Sequence, residues 1–272
     1  MKKNLVILLL VTLSATALLA GNDKPKPVTA EDLLRKVNSM YYVPSFNTAS
    51  CELIVPFIQN DMDLNKDGEL KFYYRYTAPS THVITIEGLG EERQTLKTTL
   101  LNLLQPIVES TFPMRPTIDM DGRKVEIVKT QKRVVDRKAI PCYLVMSYAE
   151  RAEDGTKVDP NDVDVALLIN DIGLIERFDY HMPVPNSTAI TVISYGIENI
   201  KTDFGYLLKN MIAKAGSYYQ DEEITYEVAS GFMLPAKYEK KFLNNYNRVD
   251  IAAGTWQVFF EDWVIGNDIL GN

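Results

Sequence analysis

From residue 125 to residue 265 the chain keeps returning to short stretches rich in valine, isoleucine, leucine and tyrosine, each closed by a polar turn signal. This rhythm constrains the fold more than any other feature, because β-branched and aromatic residues suit a pleated, half-buried surface. Strands are expected at residues 125–128 leading into 134–135, then at 143–148, 165–169, 175–180, 189–193, 224–228, 238–243 and 255–265. Asp121-Gly122 and Asp171-Ile172-Gly173 read as hairpin-type turns, and the polar residues 150–162 as a long loop. Upstream, residues 49–58, 70–77 and 81–87 alternate in the same way, the last two joined at Pro79-Ser80. They read as an antiparallel meander. So many antiparallel strands must bury one face of a sheet against something.

Helical spacing supplies the cover. Thr29 followed by Asp32 resembles a capping box, and Leu33, Leu34, Val37, Met40 and Tyr41 then recur at helical intervals until Pro44. A second helix is expected over residues 91–108. Leu96, Leu100, Leu103, Leu104 and Ile107 form one stripe, with Glu91, Arg93, Lys97 and Asn102 outside it. Pro106 should bend or end it. A short amphipathic helix is also expected around Leu207, Leu208, Met211 and Ile212. The fold class is therefore α+β and mainly β: a curved, incompletely closed antiparallel barrel with helices covering its concave face. Helices that do not fill that face leave an apolar cavity. The leucine stripe is then either ordinary core or the apolar wall of a ligand site, with Leu96, Leu100, Leu103, Leu104 and Ile107 as candidate lining.

Residues 1–20 read as a secretory signal. Lys2 and Lys3 precede an apolar run from Leu5 to Leu13, and Ala15, Ala17 and Ala20 are small residues suited to cleavage. The run is too short for a membrane span. Leu19-Ala20-Gly21 would precede a lipidated cysteine in a bacterial lipoprotein, but the next residue is Asn22, so no stable membrane anchor is expected. Residues 21–28 form a linker, and residues 29–272 a single domain. Formal charge is −7, with 29 Lys+Arg against 36 Asp+Glu. Cleavage at Ala20 removes two lysines and no acid. So acidic a chain is not built to neutralise phosphates, which excludes nucleic acid as a primary partner.

Candidate chemistry is sparse. Asp63, Asn65 and Asp67 fall at the first, third and fifth positions of a calcium-type loop with Gly68 at the sixth. Tyr74, however, stands where a bidentate glutamate belongs, and strands flank the segment. A hairpin turn closed by Asp67-Gly68 is the plainer reading. Cys51 and Cys142 lie in separate strand-like stretches and would meet an oxidising compartment after export. They form either a disulfide or two buried thiols. His82 and His181 are isolated, and no Gly-x-Ser-x-Gly, His-Glu-x-x-His or phosphate-cradling glycine loop occurs. No catalytic residues and no cofactor are expected. The 15 tyrosines, including Tyr41-Tyr42, Tyr73-Tyr74 and Tyr218-Tyr219, either rim a cavity or populate strands.

The layout resembles the LolA-like family of exported lipoprotein carriers and sensors. The resemblance rests on the helix at residues 28–42, on Phe72-Tyr73-Tyr74-Arg75-Tyr76-Thr77-Ala78-Pro79, on Gly231-Phe232-Met233-Leu234-Pro235, and on Phe259-Phe260-Glu261-Asp262-Trp263-Val264-Ile265-Gly266-Asn267. It implies an unclosed antiparallel β-barrel with a helical lid over an apolar cavity. The implied function is a periplasmic, non-catalytic carrier in outer-membrane lipoprotein sorting. Its partners would be acyl chains of lipoproteins or other lipids, with an envelope protein as donor or acceptor. The alternative implied is an envelope-stress sensor or protein-interaction module without lipid transport. The sequence departs from classical carriers in its length, in residues 150–162, and in having no arginine assignable to a cavity.

Overall fold

The computed structural model describes residues 28–61, 70–112, 123–135, 137–159, 163–184, 189–215, 218–243 and 254–266. The segments expected as signal peptide and linker, apart from Val28, lie outside the described residues. So do the Asp121-Gly122 turn and the Asp63–Asn65–Asp67 loop.

Helix α1 (Ala30–Met40) starts where the sequence signals it, with the Thr29 hydroxyl accepting a hydrogen bond from the Asp32 amide at 3.1 Å. It is followed by β1 (Thr48–Ile54), the single turn α2 (Pro56–Gln59), β2 (Lys71–Thr77) and β3 (Thr81–Glu87). The expected strand at residues 49–58 thus ends early. Pro56 suits a first helical position and has no N–H for a ladder. A 3₁₀ turn (Glu91–Arg93) leads into α3 (Gln94–Thr111), which runs through Pro106 rather than ending there.

Nine further strands follow among the described residues: β4 (Lys124–Val135), β5 (Lys138–Tyr148), β6 (Asp164–Asn170), β7 (Ile175–Pro183), β8 (Ile190–Thr202), β9 (Gly205–Ala215), β10 (Tyr218–Ala229), β11 (Phe232–Leu243) and β12 (Thr255–Gly266). All twelve strands form one antiparallel sheet, ordered β3-β2-β1-β12-β11-β10-β9-β8-β7-β6-β5-β4. Strands β4 to β12 are a continuous up-and-down meander. The N-terminal meander joins it through β1 on β12, with Leu53 opposite Phe260. Among the described residues the sheet is open, with β3 and β4 at its edges.

The helix expected at Leu207–Ile212 is instead part of β9. Opposite β8, Glu198 faces Asn210 and Asn199 faces Leu208, so Lys209 is an extra residue and the ladder shifts register there. A bulge of this kind reverses which residues point inward. Leu208 before it and Met211 after it are both buried, and that spacing of three mimics a helix face.

Two apolar clusters hold the sheet to its helices. Leu33 and Val37 of α1 pack with Val145, Val165, Leu167, Ile169 and Ile175. The helix end is fixed by Tyr41, whose hydroxyl donates to Asn199 at 2.9 Å and accepts from the Ile175 amide at 3.2 Å. The second cluster gathers Leu100, Leu104, Ile107 and Val108 of α3 with Leu53, Phe72, Leu234, Val258 and Phe260. Phe112 sits at its centre, 4.5 Å from Tyr76 and 5.9 Å from Trp263, ring centre to ring centre. The Trp263 indole donates to the Pro235 carbonyl at 2.9 Å.

Candidate functional site

Between α3 and the strands β6 to β12 lies a cavity of about 770 Å³, inside the range of roughly 300–1,000 Å³ typical of small-ligand sites. On the helix side it is lined by Asn102, Leu103, Pro106, Ile107, Glu109 and Ser110. Positions 102, 103, 106, 107 and 110 fall on one helical face, as spacings of three and four require. Pro106 has no N–H to offer the Asn102 carbonyl, so the proline that the helix tolerates falls on its cavity side.

The sheet contributes a wall whose character changes along the strand order. At β6 to β9 it is apolar and aromatic: Val165, Phe178, Tyr180, Tyr195, Leu208 and Met211. Phe178 stacks on Tyr195 with ring centres 4.6 Å apart and planes 13° from parallel. Tyr180 meets Tyr195 edge-on at 5.7 Å. Burial pushes both tyrosine hydroxyls above their ordinary pKa, and Glu222 raises that of Tyr195 further.

At β10 to β12 the wall is polar: Gln220, Glu222, Tyr238, Lys240 and Trp256. Glu222 and Lys240 are directly opposed across β10 and β11, and Lys240 Nζ lies 3.1 Å from Glu222 Oε1. Their side chains keep only 10% and 19% of their exposure. Burial, with Glu222 second, keeps the Tyr238 hydroxyl protonated throughout the physiological range, and that hydroxyl is hydrogen-bonded to Glu222. Trp256 is stacked on Phe57 at 5.2 Å and held edge-on by Phe242 at 5.2 Å.

Arg123 also lines the cavity, although no sequence signal placed it there. Its guanidinium donates to the Ser147 hydroxyl at 2.7 Å and to the carbonyls of Ser147 and Val163 at 3.2 Å and 2.6 Å. These bonds anchor it to the sheet edge.

Of the leucine stripe, Leu100, Leu104 and Ile107 are buried in the core, Ile107 also lining the cavity beside Leu103, and Leu96 packs partly buried against that core. A stripe five residues wide spans more arc than the cavity opening, so its two sides meet different neighbours. The aromatic wall was missed because strand alternation tells which residues point inward but not what they face. Tyrosine abundance was its only sequence signal.

The remaining candidates lie elsewhere. Cys51 and Cys142 are free thiols on β1 and β5, eight places apart in the strand order, so the disulfide alternative gives way to two separate buried thiols. Burial raises the pKa of each, which suits inert packing rather than nucleophilic chemistry. His82 is hydrogen-bonded through Nδ1 to Tyr74 at 2.9 Å, and burial holds it below its ordinary pKa. His181 is on β7 opposite Val192 and Asp164. Among the described residues no three His, Cys, Asp or Glu side chains converge to hold a metal ion. No helix among those residues is long and apolar enough to cross a membrane.

No protein-family model matches the chain, and no curated protein matches it. Among solved structures, it is similar to a Bacteroides fragilis NCTC 9343 protein of unknown function. That match has 9% identity and a TM-score of 0.13, and covers 54% of this chain and 94% of that one. So remote a likeness carries no argument.

Proposed function

We propose that the chain is an exported, non-catalytic carrier of lipids or lipoprotein acyl chains, with the LolA-like design of an incompletely closed barrel covered by helices. The observation that carries the reading is the cavity of about 770 Å³ roofed by Leu103, Pro106 and Ile107 and walled by Phe178, Tyr180, Tyr195 and Met211. Each methylene moved from water into such a site gains about 0.8 kcal/mol, so one acyl chain is enough to drive binding. Further support comes from the segments that bear the family resemblance. Tyr74, Pro235 and Trp263 belong to three of them and meet in one aromatic core, with Tyr74 and Trp263 ring centres 6.2 Å apart.

Titration of the purified chain with a fluorescent fatty acid tests this reading. Saturable binding at one molecule per chain is expected, with at least tenfold weaker binding in a Met211→Trp variant, whose indole would occupy the cavity. Absence of saturable binding would overturn the proposal.

A further inference from the structure

The cavity is not apolar throughout, and its two ends demand different chemistry from an occupant. Val165, Phe178 and Met211, on β6, β7 and β9, offer nothing to a charged group, and Arg123 beside them directs its guanidinium to Ser147 and Val163. Glu222 and Lys240, on β10 and β11, offer a carboxylate acceptor and an ammonium donor at one spot in the same wall. A lysine ammonium has three N–H donors and a carboxylate about four acceptor positions. Their mutual bond and the Tyr238 hydroxyl on Glu222 therefore still leave bonding capacity for a further partner. A ligand that only fills space would bury this pair without adding bonds, a costly arrangement for charged groups. Size restricts the occupant as well. A volume of about 770 Å³ lies in the range of roughly 300–1,000 Å³ of sites that take one small ligand, which favours one acyl chain over three.

Resting on the carrier reading above, we propose that the cavity selects a single-chain amphiphile with a zwitterionic headgroup. The tail lies under Leu103 and Ile107 against the aromatic wall. The headgroup sets its ammonium on Glu222 and its anionic oxygen on Lys240, beside Trp256. Charge-assisted bonds of this kind are the stronger class of hydrogen bond, so the headgroup contributes selectivity as well as solubility.

Calorimetric titration of the full chain with palmitoyl lysophosphatidylethanolamine, palmitate and a triacylated lipopeptide, each below its aggregation threshold, tests this. Lysophosphatidylethanolamine should bind one per chain, at least tenfold tighter than either of the others. The double variant Glu222→Gln/Lys240→Met removes both charges together, so no unpaired charge is left buried. It should bring lysophosphatidylethanolamine down to the affinity of palmitate. Should that variant fail to fold, Lys240→Gln alone should lower lysophosphatidylethanolamine affinity at least fivefold. A triacylated lipopeptide that binds as tightly as lysophosphatidylethanolamine would overturn the single-chain inference and leave the carrier reading standing. Unchanged selectivity in the variants would overturn the headgroup placement. Failure of all three probes to bind would overturn the carrier reading itself.

Discussion

Glu239 on β11 accepts hydrogen bonds from Lys237 and Gln257, each at 2.6 Å, and is also bonded by Lys241. Lys237 first, then Lys241 and Gln257, hold its carboxyl near pKa 2 against an ordinary 4.5. A carboxyl depressed on folding stabilises the native state fully above its ordinary value, and the contribution disappears as pH falls from about 4.5 to about 2. Solvent reaches part of this network, so its worth is about 1 kcal/mol. Glu239→Gln should lower stability by about that amount at pH 7 and leave it unchanged at pH 2, as read by urea midpoints at the two pH values. Gly173 is a second such position. It closes the β6–β7 turn at φ +93°, and a Cβ there would stand 2.8 Å from Lys36 Cγ and 3.2 Å from the Lys36 carbonyl carbon. The strained φ and the crowding act together, so Gly173→Ala should cost more than about 1 kcal/mol, seen as a lower thermal midpoint.

Helix α3 has two neighbours at once, and this is testable by comparing adjacent leucines. Leu104 is completely buried in the core, whereas Leu103 lines the cavity. Leu104→Ala should destabilise by about 2–5 kcal/mol, because it opens a void in packed surroundings. Leu103→Ala only enlarges a space already present and should cost less than half as much, while weakening fatty-acid binding. Denaturant unfolding of the two variants separates these effects. The same helix shows what was readable in the sequence. Its apolar stripe, the Thr29 cap of α1 and the turns at Pro79 and Gly173 are local signals, and each lies where the pattern put it. The Lys209 bulge turned a strand into an apparent helix, since period-2 alternation was broken in the middle of it. The pairing of β1 with β12 joins the two ends of the described chain, and the aromatic wall assembles from β7, β8 and β9. Neither is encoded by any local spacing.

On the scale of the whole molecule, the described residues form one open twelve-stranded sheet with two main helices, and a cavity arises because α3 meets the sheet through only part of its circumference. The Leu100 and Leu104 side packs tightly, Leu103 faces the space, and Ile107 is buried between the two. The apolar wall of this space is covered either by a ligand or by water, and each methylene that replaces water there gains about 0.8 kcal/mol. On the carrier reading proposed above, an acyl-bearing molecule fills this space. Native mass spectrometry of the full chain, purified from cells without detergent, is the most direct measurement. The expected spectrum contains a species heavier than the protein alone by the mass of one lipid, lost in the Met211→Trp variant. Protein of bare mass in both, with no lipid in an organic extract of either, would contradict it.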